Sequence, residues 1–139
     1  MLFLLSENSY YWRNSYICFS IMKLPKWPCA CGYTGCMIGT HADVVIADAM
    51  LKGTLDPEAV LKAANSMNNK YTGRWNPKDY LQLGFVPYPD DRHSAPLTLS
   101  YAYDDWAIAN IASFVGREAE AADFRNRSQF FKNVWSKEH

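Results

Sequence analysis

The sequence predicts an all-α fold in which helices buried on most sides alternate with helices that keep one face in water. Three observations predict it. Segments 40–53 and 97–116 carry apolar residues around nearly their whole helical circumference. Segments 56–69 and 117–139 show a single apolar stripe at helical spacing. The connections between them are rich in Pro and Gly, and no run is long enough to read as a dependable strand.

Residues 1–23 open with a short apolar run, LFLL, too brief for a signal-peptide core and without a small-residue cleavage site behind it. They read as a divergent leading segment, with the helical domain spanning 24–139. PKWPCACGYTGCMIG, residues 25–39, is loop-like. Thr40 is placed to cap the next helix and Gly53 to stop it. On that helix Val44 and Val45 flank the side of His41 and Asp48. Ile46, Ala47 and Met50 lie on the other side with Asp43. Asp56, Pro57 and Glu58 form a regular helix start, and Val60, Leu61, Ala64 and Met67 make its apolar stripe. A short helix runs from Asn76, with Pro77 in its first turn, to Gly84. FVPYPDDRHSAP connects it to the next helix. There Leu97, Tyr101, Asp104, Ile108 and Ile111 share a face with Ser100 at its edge, while Leu99, Tyr103 and Trp106 cover another. Gly116 ends it. The final helix places Phe124, Phe131 and Trp135 together and leaves Arg117, Glu120 and Arg127 solvated. Inner helices alternating with outer ones fit a toroid of helical hairpins. A bundle or an α-solenoid gives a similar order.

Composition narrows the function classes. Fourteen basic residues balance fourteen acidic ones, so there is no basic stripe for nucleic acid and no polybasic membrane patch. Hydrophobic content of 49% and aromatic content of 15% exclude a disordered chain. No stretch approaches the roughly 18 apolar residues of a membrane span. Cys29, Cys31 and Cys36 cluster near His41, but the set is incomplete for zinc. The plainer reading is free thiols in a loop, or one disulfide if the protein is secreted. Localisation stays open.

Chemistry gathers at a few positions. Asp104 lies in the middle of an apolar face, where an unpartnered carboxylate costs several kcal/mol. It therefore needs donors from another element. Asp105 points elsewhere and serves a different group. Tying loops to the helix and lining a polar cavity are both open to the pair. His41 and Asp43 open a buried helix, a place that suits anionic or hydroxyl ligands. Asp48 shares the face of His41 and could orient it only indirectly. Trp27, beside Lys26 and between prolines, is either a platform for a pyranose ring or a plug of the loop against the core.

GTHADVVIADAMLKG and LTLSYAYDDWAIANIA, with PKWP upstream, together resemble glycoside hydrolase family 92. The resemblance runs from about residue 24 to the end of the chain. It implies a calcium-dependent, inverting, exo-acting α-mannosidase whose catalytic domain is an (α/α)6 barrel beside a β-sandwich, and a mannose-containing glycan as substrate. This chain then corresponds to a partial (α/α)6 toroid. The β-sandwich and the segment that carries the family's general base lie outside it. The resemblance implies sugar contacts for Lys26, Trp27, His41 and Asp43 and structural support from Asp48, Tyr101, Asp104 and Asp105. It assigns no calcium ligand here. Family sequences read TLEYAYDDW, and their Glu is the general acid; this chain has Ser100 there. Serine has no available proton at neutral pH. The expectation is either hydrolysis of substrates with an already acidic leaving group, such as mannose-phosphate diesters, or a non-catalytic mannose-binding or inactive helical remnant. A helical interaction scaffold that binds no sugar is the remaining rival.

Overall fold

The structure, a computed structural model, describes residues 28–29, 32–33, 37–56, 61, 74–88 and 93–135. Residues 1–23, Lys26, Trp27 and, apart from Leu61, the apolar stripe expected within 56–69 lie outside the described residues.

Two short strands come first. β1 (Pro28–Cys29) and β2 (Gly32–Tyr33) pair antiparallel, with Pro28 opposite Tyr33 and Cys29 opposite Gly32. This minimal ladder lies inside the segment read as loop. The helices are α1 (Ala42–Leu51), α2 (Pro77–Leu83), α3 (Ser94–Phe114) and α4 (Glu118–Arg127), and α4 runs into a 3-10 helix, Ser128–Val134.

Helix stops follow local chemistry. After α1, Gly53 N–H donates to Met50 O and Thr54 N–H to Ala49 O. After α3, Gly116 N–H donates to Ser113 O and Arg117 N–H to Ala112 O. Both are Schellman closures that satisfy carbonyls left over by the last turn. Helix starts differ more from expectation. Thr40 does not cap α1. His41 occupies the cap position without a side-chain cap bond, and the Thr40 hydroxyl goes to Asp104 on α3 instead. A long-range carboxylate has outcompeted the local N–H groups. Helix α3 begins at Ser94, three residues before Leu97, because Pro96 sits in the first turn, where its missing N–H costs nothing. That turn is tied back to the preceding chain. Ser94 Oγ donates to Val86 O, Val86 N–H donates to Thr98 Oγ1, and Thr98 Oγ1 donates to Ser94 O.

Helix α3 is the hub, packing against α1, α4 and the 3-10 helix. Two core clusters lie along it. The larger joins Ala47 and Met50 of α1, Leu61, Ile108 and Ile111 of α3, and Ala121 and Phe124 of α4. The smaller joins Tyr80 of α2 and Val86 to Leu97 and Tyr101 at the start of α3, with Phe130 packed against it. Each large aliphatic side chain fully buried this way contributes roughly 1.5–3 kcal/mol. The second apolar face of α3 has no cover among the described residues: Leu99 is 41%, Tyr103 53%, Trp106 51% and Phe114 57% exposed.

The last segment departs from a uniform helix. The 3-10 winding after Arg127 changes the periodicity, so Phe130 meets the Tyr80 ring at 5.3 Å, while Phe131 and Trp135 face outward. Arg127 is not simply solvated. It pairs with Asp123 and lies 4.5 Å over the Phe124 ring. Among the described residues, no helix is long and apolar enough to cross a membrane.

Candidate functional site

Adjacent carboxylates on one turn of α3 organise the site. Asp104 and Asp105 are both fully buried. Successive residues on a helix point about 100° apart, so the two reach different segments. Asp104 Oδ2 accepts from Thr40 N–H at 3.0 Å and from Thr40 Oγ1 at 2.7 Å. Its Oδ1 stands 3.0 Å from His41 Nδ1. The entry to α1 is thereby clasped onto α3.

Asp105 serves α2 and the segment before it. Its Oδ1 accepts from Arg74 Nη1 at 2.5 Å and its Oδ2 from the Tyr80 hydroxyl at 2.9 Å. Arg74 is itself buried, 4.9 Å from the Tyr101 ring centre. The Tyr101 hydroxyl accepts from Trp75 N–H at 2.6 Å and donates to Trp75 O at 3.2 Å. Tyr80 and Tyr101 meet edge to face at 5.4 Å. Burial pushes the Asp105 carboxyl up, against the downward pull of the Arg74 guanidinium and the Tyr80 hydroxyl. Burial and the Asp105 charge push the Tyr80 phenol up, so it stays a donor. Removing one partner of so buried a pair costs about 3–5 kcal/mol.

Asp43 completes the polar layer. It is fully buried, and Arg74 Nη2 lies 3.9 Å from its Oδ2. Neither of its oxygens, nor Arg74 Nε or Nη2, has a hydrogen-bond partner among the described residues. Burial holds the Asp43 carboxyl well above the usual carboxylate range, although Arg74 pulls the other way.

The structure thus brings together His41, Asp43, Tyr101, Asp104 and Asp105. Ser100 sits on α3 one turn before Asp104, half-buried. His41 remains 47% exposed. Asp43 meets Arg74 rather than solvent. Asp48 stands apart, paired with Lys52 at 2.6 Å on the surface of α1. Lys26 and Trp27 lie outside the described residues. Sequence reasoning missed Arg74, Tyr80 and the bridging role of Thr40. Two buried acids on one helix demand a buried cation, and an Arg between Gly73 and Trp75 was the available signal.

The resemblance implies calcium, and the described residues do not fit it. No three His, Cys, Asp or Glu side chains among them converge as a metal site. Asp104 and Asp105 are taken up by protein donors, and Asp43 faces a guanidinium. Calcium needs six to eight oxygen ligands.

A mainly helical chain with a polar layer between α1 and α3 is consistent with a partial helical toroid. Residues 11–139 match the glycosyl hydrolase family 92 catalytic domain, and the chain belongs to that family. It is similar to the family 92 inverting mannosidase BT2199 of Bacteroides thetaiotaomicron VPI-5482, at 33% identity and a TM-score of 0.77, over 84% of this chain and 17% of that one. It is also similar to the family 92 α-mannosidase BT3965 of Bacteroides thetaiotaomicron. In complex with mannoimidazole, that structure gives 29% identity and a TM-score of 0.76 over 89% of this chain and 18% of that one. Without the ligand, it gives 30% identity and a TM-score of 0.75 over the same shares. This chain therefore spans less than a fifth of the length of these solved mannosidases. No curated protein matches its sequence significantly.

Proposed function

We propose that this chain forms part of the sugar-binding toroid of an exo-acting, inverting α-mannosidase whose substrates are mannose-phosphate diesters. The observation that supports it best is the Asp104 clasp, which brings His41 to the turn of α3 that follows Ser100. In inverting hydrolysis, water attacks the anomeric carbon, a carboxylate takes the water's proton, and the leaving oxygen takes a proton from an acid. The two carboxyl groups stand roughly 6.5–9.5 Å apart. Ser100 cannot supply that second proton. A phosphate leaving group departs as an anion and does not need it. General-acid assistance is worth about 10²–10⁴-fold, so the substitution separates the two substrate classes by about that factor. The base, the β-sandwich and any calcium ligands belong to the rest of such a catalytic domain. Lys26 and Trp27 contribute sugar contacts from the segment before β1, and Asp43, buried beside Arg74, supports the polar layer from within.

The test is a chimera in which this chain replaces the matched segment of a solved family 92 mannosidase. It hydrolyses methyl mannosyl phosphate about 100-fold or more faster than α-mannobiose. Ser100→Glu in the chimera raises mannobiose hydrolysis by a similar factor. Equal rates on both substrates overturn the reading. Ser100 also favours a second reading, a mannose-binding element without turnover. Mannose binding with no hydrolysis of either substrate selects it.

A further inference from the structure

Gly39, two residues before His41, has φ +84°, a backbone conformation that residues with a side chain rarely adopt. A Cβ built there would stand 2.7 Å from His41 Nε2 and 3.1 Å from its Cε1. The imidazole therefore lies against the Gly39 backbone, in space that any other residue would fill. Asp104 Oδ1 holds the ring by Nδ1 at 3.0 Å. The Asp104 carboxylate is fully buried, and two Thr40 donors fix its other oxygen. The ring is thus oriented by two groups, yet the side chain is nearly half exposed. Nε2 has no hydrogen-bond partner among the described residues. A structural latch needs only the Nδ1 contact. A half-exposed ring whose second nitrogen is unengaged among the described residues has a donor to offer.

We propose that His41 is the anion-recognition residue of this site, its imidazolium Nε2–H donating to the phosphoryl oxygen of a mannosyl phosphodiester, with Asp104 and Gly39 as its positioning residues. This rests on the reading of Ser100 as the occupant of the acid position. The place fits the ligand. Ser100 is four residues before the carboxylate that holds His41 and so shares its face of α3, which sets the imidazole about one turn from Ser100. The chemistry fits as well. A glycosidic leaving group offers an imidazolium only a weakly basic ether or hydroxyl oxygen. A phosphodiester offers an anionic oxygen, and charge-assisted hydrogen bonds are roughly twice as strong as neutral ones.

The charged groups around His41 agree. From α3 it faces Asp104. From α1 itself the nearest acid is Asp43, which is buried beside Arg74. From the segment before α2, Arg74 is committed to Asp105. The Asp104 hydrogen bond outweighs the partial burial of the ring and raises its pKa above 6.5. The imidazolium predominates below that raised value, and the charge is lost as pH rises through it.

The test uses the 139-residue chain and two probes, methyl α-mannoside and methyl α-mannosyl phosphate. The second keeps a single negative charge across the range in which histidine titrates. Binding is followed by NMR together with the His41 ring resonance. The diester binds about tenfold more tightly than the glycoside near pH 6. The preference fades as His41 deprotonates, and the bound diester raises the pKa of His41. His41→Gln removes the preference for the diester over the glycoside, while His41→Lys restores part of it. A preference that survives His41→Gln, or that ignores pH, overturns the anion role and leaves the mannosidase reading intact. Equal loss of both probes in His41→Gln also overturns it, making the residue a general sugar contact or a latch. If the unaltered chain binds neither probe, the mannose-binding reading fails first and takes this one with it.

Discussion

Neither oxygen of the Asp43 carboxyl is hydrogen-bonded among the described residues, and the nearest cation stands 3.9 Å away. In the unfolded chain such a group titrates at about 3.9. In the fold, burial moves it well above that range. The native state then keeps a proton that the unfolded state has lost. Its contribution to stability is complete below the unfolded value and declines as pH rises toward the folded one, by at most about 1.4 kcal/mol per pH unit. Asp43→Asn keeps the shape and cannot ionise. Urea denaturation across a pH series shows a shallower decline above about pH 4 in the variant. An unchanged slope would place the titration elsewhere. The demand for partners at this scale was legible: an Asp among Tyr101, Ile108 and Ile111 had to find donors. Their identity was not, because Thr40 and Arg74 are far from Asp104 and Asp105 along the chain, and no local spacing links them.

At the scale of the element, α3 presents two apolar faces with opposite fates. Leu97, Tyr101, Ile108 and Ile111 are fully buried, as their spacing predicted. Leu99, Tyr103 and Trp106 are exposed, and the Tyr103 and Trp106 rings stack at 5.8 Å with only 9° between their planes. Two tyrosines on one helix therefore do different work. Tyr101→Phe keeps the ring but removes both hydrogen bonds to the Trp75 backbone. It costs about 1–3 kcal/mol. Tyr103→Phe changes stability by less than about 0.5 kcal/mol. Thermal denaturation of the two variants measures the difference, and equal losses would mean that the Trp75 contact holds nothing. Helix interiors were readable because periodicity reports them. The start of α3 and the end of α4 were not, although Gly116 correctly marked the end of α3. Pro96 reads as a breaker from sequence, although a first turn tolerates it, and the switch to 3-10 winding after Arg127 depends on what Phe130 packs against.

For the whole molecule, the balance between buried and uncovered apolar surface decides behaviour in solution. The stripe along α3 continues to Phe114, and Val45 and Leu51 of α1 are also more than half exposed. A patch of this kind marks an interface or an aggregation surface. The chain on its own is expected to bind ANS and to self-associate with rising concentration. Tyr103→Ser combined with Trp106→Gln lowers the dye signal by about twofold or more. A monodisperse monomer that binds no dye in size-exclusion and fluorescence measurements would show the stripe to be covered from within.

The pairing of Asp104 with Asp105 has a consequence for how α3 can seat. If the helix slipped forward by one residue, Asp105 would meet Thr40, but Trp106 would be set against the Arg74 guanidinium. If it slipped back, Asp104 would meet Arg74, but Tyr103 would stand before Thr40. Either displacement strands a buried cation or a buried pair of donors, so only one register satisfies both loops at once.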